Sequence, residues 1–189
     1  MGKVIVEQIV TVDGYASDKD GGIGFFDAAG DFKDAEPEQM KMMESIGAIV
    51  FGTTTYKMFA DYWPTADEKV EKVTGPINRL PKFVVSNTLK TAPWGDKGQV
   101  EILSGDGVES VRGLRERIKG DLMIWGSLTL TDALFRAGEV DVLRLRTVPV
   151  LLGEGRSFVP GDLGEEKLSL QTVESHPSGH IVMQYAAKA

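Results

Sequence analysis

Leu122-Met123-Ile124-Trp125-Gly126-Ser127-Leu128 decides the fold. Four apolar residues make a short run of the kind that forms a strand buried on both faces. A glycine follows at once, and a hydroxyl residue then opens a segment with helical spacing. Ala48-Ile49-Val50-Phe51-Gly52-Thr53-Thr54 repeats the arrangement. A buried strand that ends in glycine just before a helix marks the place where an α/β sheet meets its ligand. A helix start presents unpaired N–H groups and a positive dipole end, and a residue without Cβ lets a bulky group approach them. Thr53, Thr54, Thr55, Ser127 and Thr129 add hydroxyls at the same two places. Two such starts can hold a diphosphate without one basic residue. The same residues also have a plain structural reading, glycine as turn punctuation and Thr or Ser as helix caps. Neither the Walker pattern nor GxGxxG occurs at these junctions.

Outward from these two stretches, elements alternate. Lys3–Val12 is Val- and Ile-rich and predicts a strand. Asp13–Asp34 is Gly- and Asp-rich and predicts a long loop carrying Phe25, Phe26 and Phe32, either a lid over a ligand or a connector pinned by its aromatics. Glu36-Pro37 opens a helix, with Met40 and Met43 facing the core. Thr53–Ala60 is a short helix, and Asp67–Lys72 predicts a surface helix ending at Gly75-Pro76. Lys82–Ser86 and Gln99–Leu103 are further strands. Asp106 caps a helix whose apolar positions are Val108, Val111, Leu114 and Ile118, with Glu109 completing a capping box. Leu128–Ala137 is a helix stopped by Gly138. After it only strands follow: Val140–Val148, Leu168–Glu174 and Ile181–Ala186, the last two joined by the His176-Pro177-Ser178-Gly179 turn. His176 and His180 flank that turn and are expected in solvent. The reading is one α/β domain over residues 1–189, a mixed, mostly parallel sheet flanked by helices, with an antiparallel edge at its C-terminal end.

Composition bounds the function. Hydrophobic residues make up 42% of the 189-residue chain, enough for a substantial core. The net charge of -7, with no basic cluster, argues against nucleic acid as a partner. No apolar stretch approaches the roughly 20 residues of a membrane span, and the first apolar run is broken by Glu7 and Gln8. The absence of cysteine removes disulfides and thiolate metal sites and fits a reducing, cytoplasmic setting. Two histidines without cysteine make a poor metal site, so no metal is expected.

Taken in order, the motifs resemble the dihydrofolate-reductase-like superfamily, and more closely the reductase domain of the bifunctional riboflavin-biosynthesis deaminase-reductase and its stand-alone relatives. They are Thr11-Val12-Asp13-Gly14-Tyr15-Ala16, Phe51-Gly52-Thr53-Thr54-Thr55-Tyr56, Leu80-Pro81-Lys82 leading to Ser86-Asn87, Ile124-Trp125-Gly126-Ser127-Leu128-Thr129-Leu130, Gly138-Glu139-Val140-Asp141 and Pro149-Val150-Leu151-Leu152-Gly153-Glu154-Gly155. The resemblance implies a nicotinamide cofactor, NADPH or else NADH, lying across the strand carboxyl ends. Gly52, Thr53, Thr54 and Thr55 would hold pyrophosphate and the adenosine side, Ser86 and Asn87 the adenosine ribose or its 2′-phosphate. Gly126, Ser127, Leu128 and Thr129 would take the other pyrophosphate face. Ala16 would lie beside the nicotinamide amide, Trp125 would line the pocket, and Gly21–Phe26 would be the mobile loop.

Several positions depart from the family pattern. Dihydrofolate reductases place an acid early in the helix before Phe51-Gly52, and an ungapped match puts Glu36 there. Trp125 stands where riboflavin reductases carry an acid before a glycine pair, and relatives often have a cis peptide at that pair. Gly52–Thr55 contains no arginine for a 2′-phosphate, leaving Lys57 or Lys90. The implied activity is hydride transfer to a C=N or C=O group of a pyrimidine ribosylamine or a pterin. Glu36 and Asp13 are the candidate catalytic acids, and Tyr15, Phe25 and Phe26 the substrate and lid residues. Glu36 also reads as a helix cap, Asp13 as a turn-former and Tyr15 as packing. Arg156 would meet a substrate anion or a surface carboxylate. The alternative is a nucleotide-binding sensor that kept the groove and lost the chemistry. Edge strands in the tail and Leu151-Leu152 point to a homodimer.

Overall fold

The chain, described here over residues 1–187 of a computed structural model, builds its sheet from short Val- and Ile-rich runs that alternate their side chains between two faces. Strand β1 (Val4–Thr11) lies inside the sheet, and seven of its eight residues are buried. Six strands run parallel in the spatial order β5 (Glu101–Leu103), β4 (Lys82–Val85), β3 (Ile46–Gly52), β6 (Asp121–Trp125), β1 and β7 (Val142–Val148). β10 (Ile181–Ala186) then pairs antiparallel with β7, and β9 (Ser169–Ser175) pairs antiparallel with β10 at the edge. β2 (Tyr15–Ser17) and β8 (Arg156–Ser157) form a separate two-stranded ribbon. The parallel body and antiparallel C-terminal edge are the arrangement that the pattern of the sequence predicts.

Successive residues of β1 serve opposite layers. Val4, Val6 and Val10 join Val50, Leu122 and Ile124 beneath helices α5 (Gly107–Arg117) and α6 (Leu128–Arg136). Ile5 joins Ile49, Phe51, Met123 and Trp125 beneath α2 (Glu36–Met43), α3 (Thr53–Tyr62) and α4 (Thr74–Arg79). Asp106 caps α5 as its spacing predicts, accepting from the N–H groups of Val108 and Glu109 at 2.8 and 3.0 Å.

Three expectations need correction. Residues 67–73 form turns, and Gly75-Pro76 opens helix α4 rather than ending one. Proline lacks an N–H, and the first turn of a helix is where none is required. Lys82 closes α4 by donating to the carbonyls of Ile77, Asn78 and Leu80 at 2.7, 3.0 and 2.6 Å. The segment after β1 is not a bare loop, since it contains β2, helix α1 (Phe25–Ala29) and a 3₁₀ turn at Lys33–Ala35. Phe25, Ala29 and Val148 form a small core there with Phe26 and Phe32 against it. His180 is fully buried rather than solvated. Its ring stacks on Phe32 at 4.6 Å and its Nε2 lies 3.1 Å from the Ala29 carbonyl. The cause is a clip: Asp34 accepts from the Ser178 N–H and hydroxyl at 2.7 and 2.9 Å, pulling the hairpin turn onto the segment after β1.

Candidate functional site

The carboxyl ends of the six parallel strands line one rim of the sheet. β3 leads into α3 on one face, and its neighbour β6 leads into α6 on the other. Helices leaving adjacent strands toward opposite faces open a crevice between them, the switch point at which such sheets bind ligands.

Gly52 and Gly126 meet there. The Gly52 N–H donates to Ser127 Oγ at 2.7 Å, Ser127 Oγ donates to the Trp125 carbonyl at 2.9 Å, and the Ser127 N–H donates to Thr55 Oγ1 at 2.9 Å. The Gly52 amide is therefore spent within the protein. Those beyond it are not capped: neither α3 nor α6 has a side chain accepting from its first turn. A Cβ on Gly126 would lie 3.2 Å from Thr55 Oγ1, and one on Gly52 would lie 3.4 Å from Ser127 Cβ. No described peptide bond is cis; the chain turns through positive φ at Gly126 (57°) and Ser127 (58°) instead. Only glycine takes such a φ without cost, so Ser127 is held there by its three hydrogen bonds. Thr53 Oγ1 donates to Ser86 Oγ at 2.9 Å, which brings the end of β4 to the same crevice. Asn87 clamps Gly105 through both ends of its amide, at 2.6 and 3.3 Å. Leu128 and Thr129 begin α6.

The remaining sequence candidates lie around this junction. Ala16 is buried in β2, beside the half-buried Tyr15. Phe25 is buried and Phe26 half-buried in α1. Asp13 accepts from Thr11 Oγ1 at 2.6 Å and from the Gly153 N–H at 2.7 Å. The Thr11 hydroxyl and these backbone donors hold its carboxyl below the usual range. Glu36 accepts from the Lys72 N–H at 2.5 Å, at the far end of the turns that precede α4. Arg156 meets a half-buried carboxylate, Asp132, at 2.8 Å. Neither Glu36 nor Asp13 touches the Gly52–Gly126 junction.

A second polar region went unread in the sequence. Glu7 of β1 stands in register with Trp125 on one side and Arg144 on the other. Arg144 donates from Nε to Glu7 and from Nη1 (2.5 Å) and Nη2 to the Glu38 carboxylate. Gln39 donates to Glu7 at 3.4 Å and accepts from Arg144 at 3.2 Å and from Arg146 Nη2. Glu7, Gln39, Arg144 and Arg146 are all 5% exposed or less, so this is a charged floor inside the protein. Desolvation would raise the Glu7 pKa, but Arg144 and Arg146, with the Trp125 indole, outweigh it and hold the carboxyl below its ordinary value. Burial works against charge on Arg144, and Glu7 and Glu38 outweigh it in turn, raising its pKa. The signal was present in Val6-Glu7-Gln8 and Leu143-Arg144-Leu145-Arg146. Charged residues that alternate with apolar ones inside a buried strand must find partners. Gln8 points to the other face and ties Gly126 from below, donating to its carbonyl at 2.7 Å.

Comparison with known proteins bears on the fold and the family. The chain is 24% identical over 185 residues to YyaP of Bacillus subtilis (strain 168), an uncharacterized protein, covering 97% of this chain and 94% of YyaP. A protein of Shewanella sp. PV-4 assigned to riboflavin biosynthesis superposes with a TM-score of 0.78 at 20% identity, over 100% of both chains. Dihydrofolate reductase of Enterococcus faecalis, complexed with NADP(H), superposes with a TM-score of 0.59 at 17% identity, over 100% of this chain and 98% of that one. These likenesses establish a dihydrofolate-reductase-like fold. The family assignment comes from the match of residues 2–182 to the RibD C-terminal domain: the chain belongs to that family.

Proposed function

We propose that the chain is a reductase that binds a nicotinamide dinucleotide, NADPH or NADH, across the rim of the sheet and reduces a small heterocycle. The observation that carries the reading is the meeting of two uncapped helix starts at Gly52 and Gly126. The absent Cβ atoms let Ser127 pack against Gly52 and Thr55 against Gly126, which sets the two helix starts side by side. Thr53, Thr54 and Thr55 would hold one face of the diphosphate and Leu128 and Thr129 the other, while Ser86 and Asn87 flank the adenosine end. Each helix start is worth about 0.3–1 kcal/mol to an exposed anion and up to about 2 kcal/mol to a partly buried one. When bound, the nicotinamide supplies a hydride for a C=N or C=O carbon. The family favours a pyrimidine ribosylamine of the 5-amino-6-(5-phosphoribosylamino)uracil type as substrate, and the fold also admits a pterin.

The chain's own contribution is orientation and exclusion of water. Trp125 would line the pocket above Glu7, Ala16 would sit beside the nicotinamide, and Tyr15, Phe25 and Phe26 would close over the substrate. Asp13 and Glu7 both have lowered pKa values and hold no proton near neutrality, so this reading assigns the proton to solvent. The reading extends to a second copy as partner, since Leu151 stands 74% exposed and β9 leaves one edge unpaired.

The binding of acids to the protein itself favours one other reading, a sensor that binds the dinucleotide without turnover. Titration of NADPH followed by tryptophan fluorescence, then by loss of nicotinamide absorbance with pyrimidine ribosylamines and pterins, separates the two. Binding with turnover is expected, and binding without turnover on every substrate selects the sensor. Gly52→Ala makes an ordinary contact at 3.4 Å and keeps an extended backbone. It should melt with the wild type yet bind NADPH several-fold more weakly, because the new methyl group presses on Ser127 where the two helix starts meet. Absence of binding by either dinucleotide in the wild type sinks the reading.

A further inference from the structure

The charged floor holds one cation, Arg146, that no described residue meets in an ion pair. Both of the floor's carboxylates are spent on Arg144. Arg146 is 4% exposed and forms no ion pair with a described residue. Its Nη2 donates to Gln39 Oε1, and its Cζ lies 5.6 Å from the centroid of the Phe32 ring. Nε and Nη1 have no protein partner among the described residues. The enclosed side-chain atoms without partners are Thr74 Oγ1, Asp132 Oδ1, His176 Nε2 and His180 Nδ1. The two Arg146 nitrogens are not among them, so what little of this 4% exposed residue meets solvent includes those donors. A guanidinium desolvated to this degree, with two donors unfilled, is costly to keep. Burial accordingly pulls its pKa down, with Glu7 acting in the other direction.

The surroundings specify what fills those donors. An arginine with open N–H groups takes an acceptor that carries full or partial negative charge. Gln39 fixes the guanidinium plane, Phe32 supplies a flat wall on the lid side, and Arg144 one pleat below repels any second cation. Arg146 is two residues from the carboxyl end of β7, on the rim that β1 and β6 share with the Gly52–Gly126 crevice.

We propose that Arg146 is the specificity-determining contact of this site, receiving an oxo or enolate oxygen of a planar heterocyclic substrate in the frame made by Gln39 and Phe32. The inference deepens the reductase reading and rests on it for the reaction, not for the binding. Rings that present an amino group at that position are excluded, because two N–H donors would then face each other.

Calorimetry on the full chain without nucleotide tests this with two rings of one size, 6-aminouracil and 2,4-diaminopyrimidine. The wild type should bind 6-aminouracil saturably and 2,4-diaminopyrimidine at least roughly tenfold more weakly, the factor of one charge-assisted hydrogen bond. Arg146→Met should lose that preference while its melting temperature holds or rises, because an unpaired buried charge has been removed. A residue kept for folding alone would show the reverse. If Arg146→Met does not fold, Arg146→Gln decides, with a roughly tenfold loss expected for 6-aminouracil. Equal affinity for both rings, no saturable heat with 6-aminouracil, or unchanged affinity in the variant that folds overturns the proposal. NADPH and NADH are each titrated into the same wild-type sample. Binding of either dinucleotide without 6-aminouracil binding overturns this inference alone, and 6-aminouracil binding without binding of either dinucleotide sustains it and overturns the reductase reading alone.

Discussion

The crevice at Gly52 and Gly126 and the floor at Glu7 and Arg144 are both polar regions set against the same sheet, and they are built by opposite means. The hydrogen bonds of the crevice run among amides, hydroxyls and a carbonyl, beside two glycines. The floor packs two carboxylates and two guanidiniums into the interior. N–H groups at a helix start that lies on a rim can be satisfied by water, so they can wait for a ligand at little cost. Full charges cannot wait, so those of the floor bond one another, and among its described residues Arg146 is left with open donors. The crevice is thus a place where the energetic stake of each group is small, and the floor one where each group is worth several kcal/mol.

The contrast breaks most sharply at Glu7. Glu7→Ala would leave Arg144 with one carboxylate fewer and Arg146 with no counter-charge on its own strand layer. Loss of one partner from a buried ion pair costs about 3–5 kcal/mol, which urea unfolding at neutral pH should show as a large fall in midpoint. A loss below about 1 kcal/mol, the size of an exposed pair, would mean that the floor is wetter than its burial implies.

Acid sharpens the same contrast. The Glu7 carboxyl titrates below its ordinary 4.5 in the folded protein. Between its folded and unfolded values the unfolded chain binds the additional proton, so stability rises with pH in that window. The contribution is complete above the unfolded value and is lost as pH falls through the folded one. Urea midpoints measured down the acid range should therefore decline in the wild type, and the decline should be shallower in Glu7→Gln. Identical acid limbs would remove Glu7 from the account.

The smallest effect belongs to the crevice. Ser127→Ala removes an acceptor for the Gly52 amide and a donor to the Trp125 carbonyl, leaving residue 127 at positive φ with less to hold it. A loss of about 1–2 kcal/mol is expected, with the acid limb of the unfolding curve unchanged. A change in that limb would show that the two regions are coupled through Trp125.

The same difference explains what could be read from the sequence. The crevice is made of contiguous stretches, each a strand, a glycine and a helix start, so residues 52–55 and 126–129 announce it locally. The parallel strands and the antiparallel tail follow from the same short-range patterns. The floor joins residues 106 and 137 positions apart, Glu38 and Glu7 to Arg144. No window of sequence contains both partners. An ungapped match to relatives points to Glu36, whereas the helix turns Glu38 and Gln39 to the arginines of the sheet. Pro76 could stop one helix or start another on local grounds, and packing of Ile77 chose the start. Asp34 and Ser178 are 144 positions apart, so the burial of His180 was equally hidden.

That last contact has a mechanical consequence. The segment after β1 is fastened at Ala29, Phe32 and Asp34 to the turn between β9 and β10, which makes that hairpin a strut for a stretch of chain more than 140 positions earlier. Truncation before residue 169 would leave every residue of the crevice in the polypeptide, yet it would strip that earlier stretch of its brace.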